Sequence, residues 1–250
     1  MARQARKRSS TGVYHVMLRG INKSNIFWDN EDKGTFVDKL LKFREIANFK
    51  LYGYCLMDNH VHLLIAEGED IGTSIKRISV SYANWHNTKY ARVGHLYQNR
   101  FLSEPVETES YLVNVLRYIH QNPVKAKMVK RAADYFWSSY HQYITAYQHG
   151  QCCIDFQLVK GYFTSQRAFE EYMNAENYDQ HLDVKPVTKY SDAMLQQKLQ
   201  RELATLQLEK IPTTQRNEII KLIYQRTGVS IRQLARVLGL GKNIVEKAVK

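Results

Sequence analysis

The chain has 250 residues, 44% of them apolar, which suits one domain of ordinary size with a real core plus a small module. Its 36 Lys and Arg against 24 Asp and Glu leave a formal charge of +12, which points to a polyanionic partner without choosing among DNA, RNA and an acidic membrane. No stretch approaches the roughly 18 uninterrupted apolar residues of a spanning helix, and no basic amphipathic membrane helix is evident, so a cytoplasmic protein with no membrane partner is expected.

In chain order, residues 1–11 carry Arg3, Arg6, Lys7 and Arg8 without an apolar h-region, and read as a basic arm that contacts phosphates rather than a secretory signal. From Gly12 to Arg19, GVYHVMLR has the β-branched and aromatic content of a strand, broken by Gly20 and Asn22. Residues 32–47 place Phe36, Leu40, Leu41, Phe43 and Ile46 at roughly helical spacing. Two apolar strands follow, Lys50 to Met57 and His60 to Ala66, with only Asp58 and Asn59 between them, a pair suited to a tight hairpin. A second helix is predicted over Ile71 to Tyr90, a fourth strand near Leu96 to Val106, and a third helix from Glu109 to Gln121, where Pro123 stops it. The order strand, helix, hairpin, helix, strand predicts an α+β fold: a ferredoxin-like split βαβ antiparallel sheet with an added helix.

Beyond Trp137 the chain reads as aromatic and irregular to about Asp183, so residues 146–210 are expected to be an irregular extension and helical linker, with a helix over Ala193 to Leu208. Residues 211–250 carry eight Lys or Arg against two Glu. A helix (RNEIIKLIYQR), a break at Gly228, a short helix (SIRQLARVL), the turn GLGK and a last helix (NIVEKAVK) predict an all-α helix-turn-helix module. In it Arg232, Arg236, Lys242 and Lys247 are candidates for duplex DNA contacts, the bland alternative being a small packing or dimerisation element. Cys55, Cys152 and Cys153 are odd in number and lack metal-knuckle spacing, so they read as reduced thiols.

Residues two apart in a strand share a face, so His60 and His62 present two imidazoles side by side with Val61 turned to the core. Alone, His-x-His is weak, because ordinary strand histidines are as common. The third helix adds to it: TESYLVNVLRYIHQN sets Tyr111, Asn114, Tyr118 and Asn122 on one stripe, beside an apolar arc of Leu112, Leu116 and Ile119 that can dock on the sheet. Tyr118 then offers a phenol and Asn122 a carbonyl oxygen as third metal ligand; the alternative is that Tyr118 packs and Asn122 caps the helix.

The strings MDNHVHLLI and RYIHQNPVKAKMV, in that order, with YHVMLRGINKSNIF near the start and WSSY at 137–140, resemble the single-tyrosine HUH transposases of the IS200-like family, and most closely the REP-associated tyrosine transposases. The resemblance covers roughly residues 12–145 and leaves the C-terminal unit out. It implies that residues 12–145 form a transposase and nuclease domain, that His60, His62 and Asn122 hold a divalent cation, Mg²⁺ or Mn²⁺, and that Tyr118 is the nucleophile. Asn122 stands where many wider relatives carry glutamine. The resemblance also implies single-stranded or hairpin DNA as partner, and a homodimer as one option, with the tyrosine helix acting within one subunit or across to the other.

A phenol with a pKa of about 10 needs the cation or a nearby base to attack at neutral pH. The expected reaction leaves a 5′-phosphotyrosine and a free 3′-OH, and its reversal rejoins strands without ATP. Tyr82, Trp85, His86 and Tyr97 are candidates for base stacking, and Lys76, Arg77, Arg92 and Arg100 for backbone contacts. The chief alternative is a DNA-binding regulator with a catalytically silent domain. A metallohydrolase needs further acidic or histidine ligands, which Leu63 to Ala66 do not supply, and RNA binding on the sheet lacks its aromatic string.

Overall fold

The computed structural model describes residues 6–176, 181–182, 191–203 and 211–249, which fall into two compact units, residues 1–183 and 184–250. Arg3 lies outside the described residues. In the first unit β1 (Val13–Arg19), β2 (Lys50–Met57), β3 (His60–Ala66) and β4 (Leu102–Pro105) form one sheet in the order β2-β3-β1-β4, with every neighbouring pair antiparallel. β3 thus lies between β1 and β2, which α1 (Asn30–Ala47) connects, the arrangement of a split βαβ unit. Asp29 caps α1 in a reciprocal box with Asp32, and Asn48 ends it in the left-handed region at φ 51°. Met57 pairs with His60 across the Asp58–Asn59 turn, so the hairpin register delivers His60 at the first position of β3.

Cross-strand partners share a face. Met17 pairs with His62, and His15 with both Leu64 and Glu104, so His15, Met17, His60, His62 and Glu104 lie on one side of the sheet. That side is covered by α3 (Glu109–Lys125): a Cβ on Gly53, the partner of Leu64, would stand 2.5 Å from Leu116 Cδ1, so the glycine permits the close approach. Leu112, Leu116 and Ile119 are buried, as the apolar arc predicts. The opposite side carries Val61, Leu63 and Ile65, each fully buried; α1 packs against α2 (Ile71–Lys89) and touches β2.

Three sequence expectations need correction. Pro123 does not stop α3, which runs on to Lys125; without an N–H, Pro123 removes one bond of the last turn, and the end is rebuilt by Met128 N–H on the Pro123 carbonyl and Lys127 N–H on Val124, with Lys127 at φ 59°. The fourth strand is shorter than Leu96 to Val106. Residues before it only brush the end of β1, through Ile21 N–H to the Leu96 carbonyl and Gln98 N–H to the Arg19 carbonyl. The stretch expected to be irregular contains α4 (Tyr140–His149), α5 (Gln157–Tyr162) and α6 (Gln166–Asn174). Their aromatic residues complete the core: Phe169 stacks on Tyr143 at 4.9 Å, and the Tyr143 hydroxyl donates to the Tyr52 carbonyl at 2.6 Å.

His120 of α3 is fully buried with Nε2 2.8 Å from Ser139 Oγ, and burial, aided by His141, pushes its pKa down to about 3. Because the folded value is depressed, the stability carried by the neutral ring is complete above the unfolded value of about 6.5 and is lost as pH falls toward the folded one. Between pH 6.5 and 5.5 the wild type should therefore lose about 1 kcal/mol more than His120→Gln in urea unfolding. Parallel loss in the two proteins would remove His120 as a source of acid sensitivity.

The second unit consists of α7 (Asp192–Leu203), α8 (Thr213–Thr227), α9 (Ile231–Leu238) and α10 (Lys242–Val249) around Leu195, Leu199, Ile220, Ile223, Leu234 and Val245. Gly228 and Gly239, at φ 63° and 67°, end α8 and α9, and Ser230 caps α9 through Gln233 N–H. The predicted continuation of α7 to Leu208 lies outside the described residues.

Candidate active site

Strand alternation sets His60 and His62 under α3 with ring centroids 5.0 Å apart and nearly perpendicular. His60 is half-buried, its Nδ1 2.5 Å from Asn59 Oδ1. His62 is fully buried, and its Nδ1 lies 2.9 Å from His15 Nε2. Burial, then the neighbouring His60, His15, Arg19 and His181, hold its pKa well below the ordinary value, so the ring is neutral. Its other nitrogen, Nε2, has no hydrogen-bond partner among the described residues. A neutral imidazole with a buried, unsatisfied nitrogen suits a divalent metal.

Thr108 caps α3 by accepting from Tyr111 N–H at 3.1 Å, which sets the phase of the helix. Two turns on, Tyr118 is fully buried, its ring 5.7 Å from that of His62 and 5.8 Å from that of His15. Lys125 Nζ sits 4.9 Å from the Tyr118 ring. One turn beyond Tyr118, the Asn122 amide nitrogen donates to the Tyr118 carbonyl at 3.0 Å, which leaves Oδ1 as the amide's acceptor. Asn114, on the same stripe, instead accepts from the Tyr172 hydroxyl of α6.

Three residues at this site were not singled out as ligands or bases from sequence. His15 lies in β1 with the parity of the site face, a signal visible in GVYHVMLR once the strand is placed. Glu104 of β4 accepts from the Tyr111 hydroxyl and lies 3.5 Å from His15 Nδ1 and 3.8 Å from His181 Nδ1. Burial raises its pKa, but the contacts with His15, His181 and Tyr111 outweigh this and hold the carboxyl far below its usual range. The His181 ring meets the Tyr118 ring at 4.9 Å and the Tyr111 ring at 5.3 Å, from a position 63 residues after Tyr118 that no local pattern marks. Among the described residues no three His, Cys, Asp or Glu side chains are grouped to hold a metal by themselves. Two adjacent imidazoles, one with a buried unsatisfied nitrogen, suit a divalent cation but by themselves fall short of the four ligands of a closed zinc site.

The basic candidates are dispersed. Arg6 lies over the Phe101 ring at 3.6 Å and lines a cleft with Lys7, Arg8 and Arg100, whose floor also bears Glu67, Glu69 and Asp70. Lys76 and Arg77 line a second hollow, Arg77 being paired with Glu69 at 3.0 Å; Arg92 is half-buried. In the second unit Arg232, Arg236, Lys242 and Lys247 are all exposed, but Arg236 is bound to Asp192 at 2.9 Å. Two stacking candidates are corrected: Tyr82 and His86 are fully buried, and the Tyr82 hydroxyl donates to the Ile26 carbonyl at 2.7 Å, so both rings belong to the core.

Residues 8–122 match the family described as "Transposase IS200 like". Those residues make up a little under half of the chain, and over them it is similar to that family. A relative from Haemophilus influenzae named "Putative REP-associated tyrosine transposase" is 28% identical over 147 residues, 51% of this chain and 83% of its own length. Among solved structures, a REP-associated tyrosine transposase bound to a REP hairpin superposes with a TM-score of 0.50 at 18% identity, covering 58% of this chain and 86% of that one, a likeness of fold. The IS200-like match ends before α4, so the second unit of this chain lies beyond it. No helix among the described residues is long and apolar enough to cross a membrane.

Proposed function

We propose that this protein is a transposase that nicks and rejoins single-stranded DNA beside a hairpin, as a REP-associated tyrosine transposase would, with Tyr118 as the nucleophile. The observation that carries the reading is the Tyr118 ring held 5.7 Å from the buried, neutral His62 ring. His60 and His62, with Asn122 as a third donor, would hold a divalent cation, Mg²⁺ or Mn²⁺; when bound it polarises the scissile phosphate and offsets charge in the transition state. Tyr118 Oη attacks phosphorus, the bond to the departing 3′ oxygen breaks, and the phenol proton leaves to a base or solvent. The 3′ oxygen departs as a hydroxyl and the 5′ phosphate stays on Tyr118. Attack by another 3′-OH reverses the exchange, so no external energy source is consumed. Lys125, beside the Tyr118 ring, adds positive charge where phenolate and phosphate charge accumulate. The test is incubation of the full chain with hairpin oligonucleotides and Mn²⁺, then a search for a covalent protein–DNA band after denaturation. Its absence across hairpins with varied flanks would favour a silent, hairpin-binding regulator.

We further propose that the second unit is a helix-turn-helix module that binds duplex DNA, supported by the exposed Arg232, Lys242 and Lys247 on and beside α9 and α10. A chain ending at residue 183 retains every residue of the proposed catalytic site. It should cleave a short single-stranded substrate and lose duplex affinity, and the log-log salt slope should become shallower by about 0.9 per lost phosphate contact. Unchanged duplex affinity and slope would leave the unit a packing or dimerisation element.

A further inference from the structure

To ligate a metal through Nε2, His62 must carry a lone pair there, and a neutral imidazole then keeps its one proton on Nδ1. His62 Nδ1 faces His15 Nε2 at 2.9 Å, with the two rings stacked at 5.1 Å and 30°. Either nitrogen could supply the proton of that contact, and the two choices have opposite consequences. If His15 donates, the proton of His62 moves to Nε2 and the lone pair is lost.

The choice is decided one residue further away. His15 Nδ1 lies 3.5 Å from Glu104 Oε2, long for a hydrogen bond, and the register sets His15 and Glu104 directly opposite on β1 and β4. An ionised carboxylate only accepts, so it favours the His15 tautomer with the proton on Nδ1, leaving Nε2 to accept from His62 Nδ1–H. Both imidazoles are fully buried, which removes bulk water as an alternative partner. The Glu104 carboxylate is itself fixed by the Tyr111 hydroxyl on α3.

We propose that Glu104 and His15 form a positioning relay that fixes His62 as the Nδ1–H tautomer and holds its Nε2 lone pair ready for the metal. The relay rests on the metal role given to His62 above, and it is built by sheet register: β4, β1 and β3 each contribute one member on the side covered by α3. It gives buried His15 and the edge-strand carboxylate Glu104 a task in the site.

The test begins with the metal-free full chain, ¹⁵N-labelled at histidine. His62 should show a protonated Nδ1 and an unprotonated Nε2. His15→Leu should shift His62 toward the other tautomer and weaken Mn²⁺ binding, measured calorimetrically, by roughly 10–100-fold. His15→Gln, whose side-chain carbonyl can accept from His62 Nδ1–H, should keep the tautomer and most of the affinity. Glu104→Leu, on the more exposed strand, should reproduce the His15→Leu effect in part and serves if His15→Leu does not fold. A wild-type His62 protonated on Nε2, or Mn²⁺ affinity equal in wild type, His15→Leu and Glu104→Leu, overturns the relay. Failure of the wild type to bind Mn²⁺ overturns the metal role instead, and the tautomer, read without metal, then decides the relay by itself.

Discussion

Tyr118→Phe, which removes a single oxygen, is expected to abolish both cleavage and the covalent adduct, a loss of at least ~10³-fold, while hairpin affinity stays nearly intact. The phenylalanine ring still fills the space beside the His62 ring at 5.7 Å and the His181 ring at 4.9 Å, so folding and binding should survive. Tyr111, two turns earlier on the same stripe, is the one serious substitute. Its hydroxyl is already committed to Glu104 and lies 3.1 Å from His181 Nδ1, so Tyr111→Phe should retain the adduct. The measurement is a denaturing gel of labelled hairpin oligonucleotide with each variant. An adduct with Tyr118→Phe and none with Tyr111→Phe would reverse the assignment.

His60→Ala and His62→Ala should each eliminate cutting, and EDTA should do the same to the wild type. Both imidazoles lie on one face of β3 with ring centroids 5.0 Å apart, and among the described residues no group of three His, Cys, Asp or Glu side chains could hold a metal in their place. Asn122→Ala should weaken cleavage less and recover in part with added Mn²⁺, because a solvent oxygen can replace an amide oxygen more readily than an imidazole. The same change removes the bond from the Asn122 amide to the Tyr118 carbonyl, which contributes about 1 kcal/mol, so each variant's unfolding midpoint should be recorded beside its activity. Full wild-type activity in EDTA would take the metal out of the mechanism.

Much of this site was legible because it follows from short-range periodicity. The two-residue repeat of a strand sets His60 beside His62, and the seven-residue interval sets Tyr111 above Tyr118, whatever the rest of the chain does. The hairpin strands were read with their observed bounds, since Asp58 and Asn59 leave little choice of register. The helices α4 to α6 were missed although Tyr140, Tyr143 and Tyr147 repeat at helical spacing, because aromatic residues dense on both sides of the stripe hid its polar face. The aromatic residues of α2 were misread in the opposite sense: Tyr82 and His86 lie four apart and looked fit for stacking on bases, and that same interval turns both into the core.

What the sequence by itself determined is the pair of imidazoles, the helix bearing the phenol and the amide, and the strand order that brings them to one layer. These depend on alternation and helical phase, which act over a few residues. The tertiary structure alone decided that His15, Glu104 and His181 join them, that Pro123 lies inside α3, and that Arg236 is bound to Asp192. Apart from the place of Pro123, which the local bonds of the last turn accommodate, these depend on register or packing between residues distant in the chain: β1 against β4 spans about ninety positions, and His62 to His181 spans more than a hundred. Contacts of that kind are selected by which faces must be buried together, and no local pattern encodes which pairs will meet.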